Sequence, residues 1–302
     1  MPHSSRPALP GLLLAAAGAI AFSGKAIIVK LSYTYGVDAV TVIMYRMLFA
    51  LPFFMAMGIW AERQAIAREN PLTRRDVLHI VGLGFVGYYL SSYLDFLGLQ
   101  YITASLERLI LYLNPTLVML LGWALYKKPI QPIRMMAMGV SYSGVLLVFA
   151  HELTLSGVNV MLGSGLILGS AVTYAIYLIF SGQMVHRIGS LRLVGWATSV
   201  ACVCCIVQFL VMRPLSAADV PVQVLWLALL NALACTVAPV LMVMMAIERI
   251  GAALAAQTGM IGPMATIALG VWVLNEPLNV WIGIGTLLVV SGVFIVSKYG
   301  AK

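Results

Sequence analysis

The thirty residues LGWALYKKPIQPIRMMAMGVSYSGVLLVFA at positions 121–150 return in outline 148 positions later as LGVWVLNEPLNVWIGIGTLLVVSGVFIVSK, positions 269–298. Setting residues 101–150 on residues 249–298 without a gap brings Pro115 onto Pro263 and Leu121-Gly122 onto Leu269-Gly270. It also brings Pro129 onto Pro277 and Ser143-Gly144-Val145 onto Ser291-Gly292-Val293. About a fifth of the aligned positions are identical, a rate that so apolar a chain could reach by chance. The matches, however, include the Pro and Gly that set backbone shape. The chain therefore reads as two copies of one unit, residues 1–150 and 151–302, and duplicated apolar units are a common plan of membrane carriers.

Composition fixes the solvent. Hydrophobic residues make up 62% of the chain and charged residues 9%, with a mean hydropathy of +1.00. A soluble domain carries about 25% charged residues to cover its surface. The apolar runs here reach bilayer length, roughly 20 residues. Ten can be read: 11–30, 39–60, 77–98, 104–125, 133–150, 162–182, 192–212, 222–246, 251–273 and 279–297. The first lacks a small-residue cleavage site and holds Lys25, so it reads as a span and not as a secretory signal. The expected fold is an all-α integral membrane protein of ten transmembrane helices, with the lipid bilayer as its surroundings.

Orientation follows from Lys and Arg. With the N-terminus inside, thirteen of the 18 fall on cytoplasmic segments, among them Arg63, Arg68, Arg74, Arg75, Lys127, Lys128, Arg187 and Arg192. Only Lys30 and Arg213 fall outside, and Lys25, Arg46 and Arg108 lie within spans. The net charge of +8 is thus mostly a topogenic signal and not a nucleic-acid footprint. Both termini are expected to face the cytoplasm across the inner membrane. Each copy holds five spans, an odd number, so the second enters the membrane upside down. The charge has diverged accordingly: Lys127-Lys128 lie inside, and their counterparts Asn275-Glu276 lie outside. Inverted repeats can exchange two unequal conformations, the basis of alternating access.

The segment Leu106-Glu107-Arg108-Leu109-Ile110-Leu111-Tyr112-Leu113-Asn114-Pro115 resembles the EamA family of the drug/metabolite transporter superfamily. So does Trp272-Val273-Leu274-Asn275-Glu276-Pro277-Leu278 with the Gly-rich span ending at Ser291-Gly292-Val293. The resemblance covers nearly the whole chain. It implies ten spans in two five-span repeats, and Arg46 matches an arginine often found in the second span. The acidic residue that commonly ends the fourth span of a repeat is present as Glu276, while the first copy has Lys128. Within the family the likeness runs to YddG-type amino-acid exporters. The resemblance thus implies a secondary transporter exporting small amphipathic metabolites, amino acids and aromatic ones among them. An exporter of drugs or other metabolites is the alternative, with a membrane-embedded scaffold or enzyme behind it.

Intramembrane charges are costly in lipid and are functional candidates by default. Lys25, Arg46, Asp95, Glu107 and Arg108 all lie in the first repeat and in the outer half of the assigned topology. The competing reading is structural pairing, Asp95 with Arg108 for instance, and snorkelling near the interface. Helical spacing adds two stripes: Gly84, Tyr88, Ser91, Ser92 and Asp95 on the third span, and Ser170, Tyr174, Tyr177 and Ser181 on the sixth. Hydroxyls and rings on one face suit a small amphipathic solute, whereas Gly and Ser alone suit helix packing. The candidate substrate-binding set is Phe22, Lys25, Arg46, Tyr88, Ser92, Asp95, Arg108, Tyr112, Tyr174, Tyr177, Trp196 and Gln257, with Lys25 or Arg46 holding a carboxylate. Losing Lys25 or Tyr177 is expected to remove transport without loss of folding.

No catalytic residues, cofactor or metal are expected. Gly18–Ala26 is similar to a phosphate-binding loop but fails on glycine spacing and on the residue after Lys25. Cys202, Cys204, Cys205 and Cys235 fall in spans without His ligands and read as packing residues. His79, near a cytoplasmic span end, reads as a solvated side chain, with a proton-linked role as the other possibility. Proton coupling and uniport stand as equal readings, and the expected functional unit is a monomer.

Overall fold

Apolar runs can satisfy their backbone groups in lipid only by coiling. The computed structural model describes residues 8–64, 71–127, 131–156, 158–250, 258–259 and 261–299, and it contains helices and no strands among them. The helices are α1 (Ala8–Tyr33), α2 (Ala39–Glu62), α3 (Arg74–Gly98), α4 (Ala104–Leu111), α5 (Asn114–Tyr126) and α6 (Pro132–Ser156). They continue with α7 (Val158–Ile188), α8 (Ser190–Met212), α9 (Val222–Ala232 running on through Leu233–Val237 into Ala238–Ile250), α10 (Gly262–Leu274) and α11 (Val280–Tyr299). Large apolar side chains cover the outside, Trp272 at 86% and Val211 at 79% exposure among them, as a lipid-facing surface requires.

Among the described residues eight helical segments are long and apolar enough to cross a membrane, and the shorter apolar helices Gly262–Leu274 and Val280–Ile295 stand at the ninth and tenth runs. The ninth run begins at residue 251, and residues 251–257 lie outside the described residues. The fourth run is also divided: α4 ends at Leu111 and α5 starts at Asn114 with Pro115 in its first turn. Proline has no N–H to give and clashes with the preceding turn, so it starts a helix better than it continues one.

The 148-residue offset reappears in the backbone. Lys127 and Asn275, the C-caps of α5 and α10, are left-handed with φ of 51° and 54°. Pro263 opens α10 as Pro115 opens α5. The third span widens into a π-helical turn at Gly84–Leu90, and α9 does the same at Leu233–Val237.

Glycines set the closest approaches. α6 runs along α11, and a Cβ on Gly144 would lie 2.6 Å from the Gly285 carbonyl oxygen. Small residues let helix backbones meet where lipid supplies no hydrophobic drive between them. Gly144→Leu is therefore expected to force α6 and α11 apart at a cost of about 1–3 kcal/mol. The measurement is the thermal midpoint of the detergent-solubilised protein, and an unchanged midpoint would show that the contact is not tight.

Ion pairs sit at the two ends of the bundle. At one end Arg192 holds Glu62 at 2.5 Å and Arg187 holds Asp76 at 2.8 Å, while Thr73 and Asp76 form a capping box on α3. At the other, Asp38 caps α2 through Val40 N–H and Thr41, 3.2 Å from Arg213. Partial burial pushes the Asp38 carboxyl up, but bonds from Thr41 and Val40 and the Arg213 charge outweigh it and hold it below its ordinary value. The cap is therefore kept at neutral pH and lost only as pH falls through that lowered value.

The two largest apolar clusters dominate the interior. One holds Val29, Ile43, Met47, Phe54 and Phe96; the other holds Leu106, Leu109, Leu113, Ile167 and Val289. The candidate site opens between them.

Candidate functional site

A cavity of about 270 Å³ lies among α1, α2, α3, α4, α7, α8 and α9, so both halves of the chain line it. That is solute-sized, just under the roughly 300–1,000 Å³ of drug-sized pockets. Its wall is mixed. Phe22, Met47, Phe54, Leu111 and Val240 give apolar surface, while Tyr88, Ser91, Ser92, Tyr112, Asn114, Ser170, Tyr174, Thr198 and Thr236 give hydroxyls and an amide.

Its charges fall into two groups. Lys25 Nζ donates to Asp95 Oδ2 at 2.5 Å and lies 3.4 Å from Glu107 Oε1. Arg108 Nε stands 3.9 Å from Glu107 Oε2, and its Nη2 donates to the Phe22 carbonyl at 3.4 Å. Arg46 is the second group by itself. Its Nε donates to Thr236 Oγ1 at 3.0 Å, and its guanidinium lies 5.2 Å from the Phe96 ring centroid. No carboxylate lies within ion-pair distance of it among the described residues, and its buried Nη1 has no hydrogen-bond partner. A buried donor left unbonded costs free energy unless something else binds it. Arg46 is thus open to an anion, whereas Lys25 is already engaged.

The π turn in α3 does local work. It adds a residue to one turn, which keeps Tyr88 and Ser91, Ser92 and Asp95 on the cavity side. Gly84 is not part of the cavity wall; it packs on α8, where a Cβ would strike the Ala197 carbonyl. That corrects its place in the third-span stripe: close packing on α8 takes the space a lining residue would need. The matching π turn in α9 carries Thr236, whose Oγ1 donates to the Asn231 carbonyl at 2.9 Å and accepts from Arg46.

Of the twelve candidate residues, Phe22, Lys25, Arg46, Tyr88, Ser92, Asp95, Arg108, Tyr112 and Tyr174 line this cavity. Tyr177 stands one layer behind, 5% exposed, its ring against Gly87 and 4.9 Å by centroid from Tyr88. Ser181, buried, bonds its own helix at Leu178. Trp196 is elsewhere: its ring covers Gly58, its indole N–H donates to Glu62 at 3.1 Å, and it borders an apolar outer groove with Cys204. A glycine-sized gap and a carboxylate at the end of α2 fix it there. Gln257 lies outside the described residues. The proposed Asp95–Arg108 pair is replaced by Asp95–Lys25 and Arg108–Glu107, because α1 brings Lys25 between the two acids.

Gly18–Ala26 is continuous α-helix, so no phosphate loop exists there. His79 is exposed. Cys202, Cys205 and Cys235 are buried and Cys204 partly so, and no His, Cys, Asp or Glu cluster among the described residues is spaced for a metal. Asn114, Thr198 and Thr236 were missed by the sequence reading. Asn114 had a signal in the proline after it; the other two had none. Glu276 proves structural, its carboxylate accepting from Ala104 N–H at 2.7 Å and Ser105 Oγ at 2.8 Å at the start of α4. The helix dipole favours an anion there.

Apolar helices of membrane-crossing length around a mixed polar cavity belong to the class of multi-pass membrane transporters. The chain belongs to the EamA-like transporter family, which matches it over residues 9–150 and again over 161–298. It is 30% identical to the uncharacterized transporter YcbK of Bacillus subtilis (strain 168), over 96% of this chain and 92% of that one. It is 21% identical to the uncharacterized transporter YoaV of the same organism, over 82% of each. An uncharacterized transporter of Archaeoglobus fulgidus is 22% identical over 94% of this chain and 96% of that one. A solved crystal structure shares the fold with a TM-score of 0.59 at 16% identity, covering 97% of this chain and 99% of that one. The protein is a transporter and not an enzyme.

Proposed function

We propose that this protein exports small amphipathic metabolites, amino acids first among them, across the inner membrane by alternating access. The observation that carries the reading is the cavity itself, with the unbonded Nη1 of Arg46 on one side and the Tyr88–Tyr174 aromatic wall on another. An α-carboxylate on Arg46 makes a charge-assisted bond, and rings of tyrosine take an apolar side chain. Asp95, whose Oδ1 has no hydrogen-bond donor, is the counter-charge for an α-ammonium. This is also what the likeness to YddG-type amino-acid exporters implies.

Alternating access rests on reading the two halves as inverted repeats. The two family matches, the left-handed caps and the prolines paired 148 residues apart, and the π turn in each half support a duplication. Five crossings per half then invert the second copy. On this reading the Arg192–Glu62 end is cytoplasmic and the Glu276–Ala104 end periplasmic, with both termini inside and a monomer as the working unit.

Reporter fusions test the topology: those after Ala67, Lys127 and Lys302 should read cytoplasmic, and one after His151 periplasmic. A periplasmic reading at Lys302 removes the inversion. Counterflow of a panel of labelled amino acids into proteoliposomes tests the substrate class. Transport of cationic drugs with no amino-acid counterflow would replace this reading with that of a drug exporter. Cys204→Ala, on the outer groove, should transport as the wild type does.

A further inference from the structure

A second hollow, separate from the transport cavity, runs down the outside of the bundle between α2, α3 and α8, with a volume of about 500 Å³. Leu51 and Met55 of α2, Val77 and Val81 of α3, and Trp196 and Val203 of α8 form its walls. The polar groups in those walls are already engaged. Ser199 gives its hydroxyl to the Gly195 carbonyl of its own helix at 2.7 Å, and Trp196 gives its indole N–H to Glu62 at 3.1 Å. Val77 and Val203 are about half exposed, so the groove opens sideways. An occupant meets hydrocarbon and little else.

One end of this groove is basic. Arg74 stands three residues before Val77 and seven before Val81, the spacing of one helix face. Arg75 follows it, and Arg63 is the C-cap of α2. All three are exposed, and none is in an ion pair among the described residues. The acids at that end are engaged, Glu62 by Arg192 and Asp76 by Thr73 and Arg187. Arg63, Arg74, Arg75, Arg187 and Arg192 against Glu62 and Asp76 leave three positive charges without a counter-charge among the described residues. From that end the groove follows α8 from Trp196 to Cys204. Eight residues at about 1.5 Å each make roughly 12 Å, close to one leaflet's half of a hydrocarbon core about 30 Å thick.

We propose that this groove binds one anionic phospholipid, with its phosphate at Arg74 and Arg75 and one acyl chain in the slot between α2, α3 and α8. The site goes beyond the transport reading and stands without it. A guanidinium bonds a phosphate with a planar pair of N–H groups, and basic pockets between spanning helices are where anionic headgroups settle. A neutral lipid would leave the arginines without a counter-charge. A second copy of this chain docked symmetrically on this face would bring two basic ends together. The bound lipid ties together three helices that also line the transport cavity, so it stabilises the arrangement that holds the cavity open.

The test uses the full-length protein in detergent, with dioleoyl phosphatidylglycerol and dioleoyl phosphatidylcholine as probes. Native mass spectrometry counts the lipid retained per chain, and titration of the thermal midpoint gives its affinity. One phosphatidylglycerol should stay bound and raise the midpoint, and phosphatidylcholine should bind more weakly. An arginine near an anionic headgroup is worth about fivefold in binding. Arg74→Gln should therefore weaken phosphatidylglycerol about fivefold and Arg74→Gln/Arg75→Gln about twenty-five-fold, both leaving phosphatidylcholine unchanged. Val203→Trp, on an exposed wall position, should exclude both lipids while the lipid-free midpoint holds. Lys127→Gln removes the same charge from α5, which packs on α7 and α11, and should bind phosphatidylglycerol as the wild type does. Equal binding of the two lipids would overturn the proposal. So would equal losses in Lys127→Gln and Arg74→Gln, which would leave only a general attraction to anionic lipid. A lipid-free dimer that Val203→Trp dissociates would give the groove to a second copy instead.

Discussion

Lys25→Ala is expected to lower stability by about 3–5 kcal/mol, the cost of breaking a buried pair by removing one partner. Lys25 is the ammonium between Asp95 and Glu107, and all three side chains are buried. Without it, Asp95 is a membrane-embedded acid with no cation on it. The readout is a fall in folded yield and in the thermal midpoint of the detergent-solubilised protein. The double variant Lys25→Ala/Asp95→Ala should recover much of that midpoint while remaining inactive in counterflow. This revises the expectation from sequence that Lys25 could be lost without harm to folding. A wild-type midpoint in Lys25→Ala would show that the triad contributes nothing to stability.

Arg46→Ala should behave in the opposite way, with transport lost and the fold kept. Its guanidinium makes one hydrogen bond, to the uncharged hydroxyl of Thr236, and a ring contact with Phe96, and no ion pair is broken on removal. Its unpartnered Nη1 is the cavity's open cationic contact. Losing a charge-assisted bond to a substrate carboxylate costs about 1.5–3 kcal/mol, roughly ten- to a hundredfold in affinity. The concentration for half-maximal counterflow should rise by that factor. Arg46→Lys should recover only part of it, since an ammonium lacks the planar fork of a guanidinium. Thr236→Val, which removes the hydroxyl that Arg46 bonds, should raise the same value more modestly. Unchanged half-saturation in Arg46→Ala, with a lowered thermal midpoint, would make Arg46 a structural residue and move the carboxylate site elsewhere.

Much of this molecule was legible from residue order alone. Low charge and long apolar runs dictate helices, because nothing else satisfies the backbone in lipid. The Pro and Gly that recur 148 residues apart reappear as the start of α5 and α10 and as the Gly144 face of α6 on α11. The polar residues of α3 and α7 were legible as well, because a charge or hydroxyl in an apolar helix stands out by its cost.

Tertiary structure alone decided which of those groups are spoken for. Lys25 and Arg46 read alike in sequence, two cations of the first repeat. Packing of α1 against α3 and α4 engages Lys25 with Asp95, whereas α9 offers Arg46 only a hydroxyl. The π turns at Gly84–Leu90 and Leu233–Val237 were invisible to a fixed helical period. Gly84 packs on α8 outside the cavity wall, and Thr236, in the second of these turns, accepts from Arg46. Residue type fixes which groups must find partners inside the membrane; only the fold determines which partners are within reach.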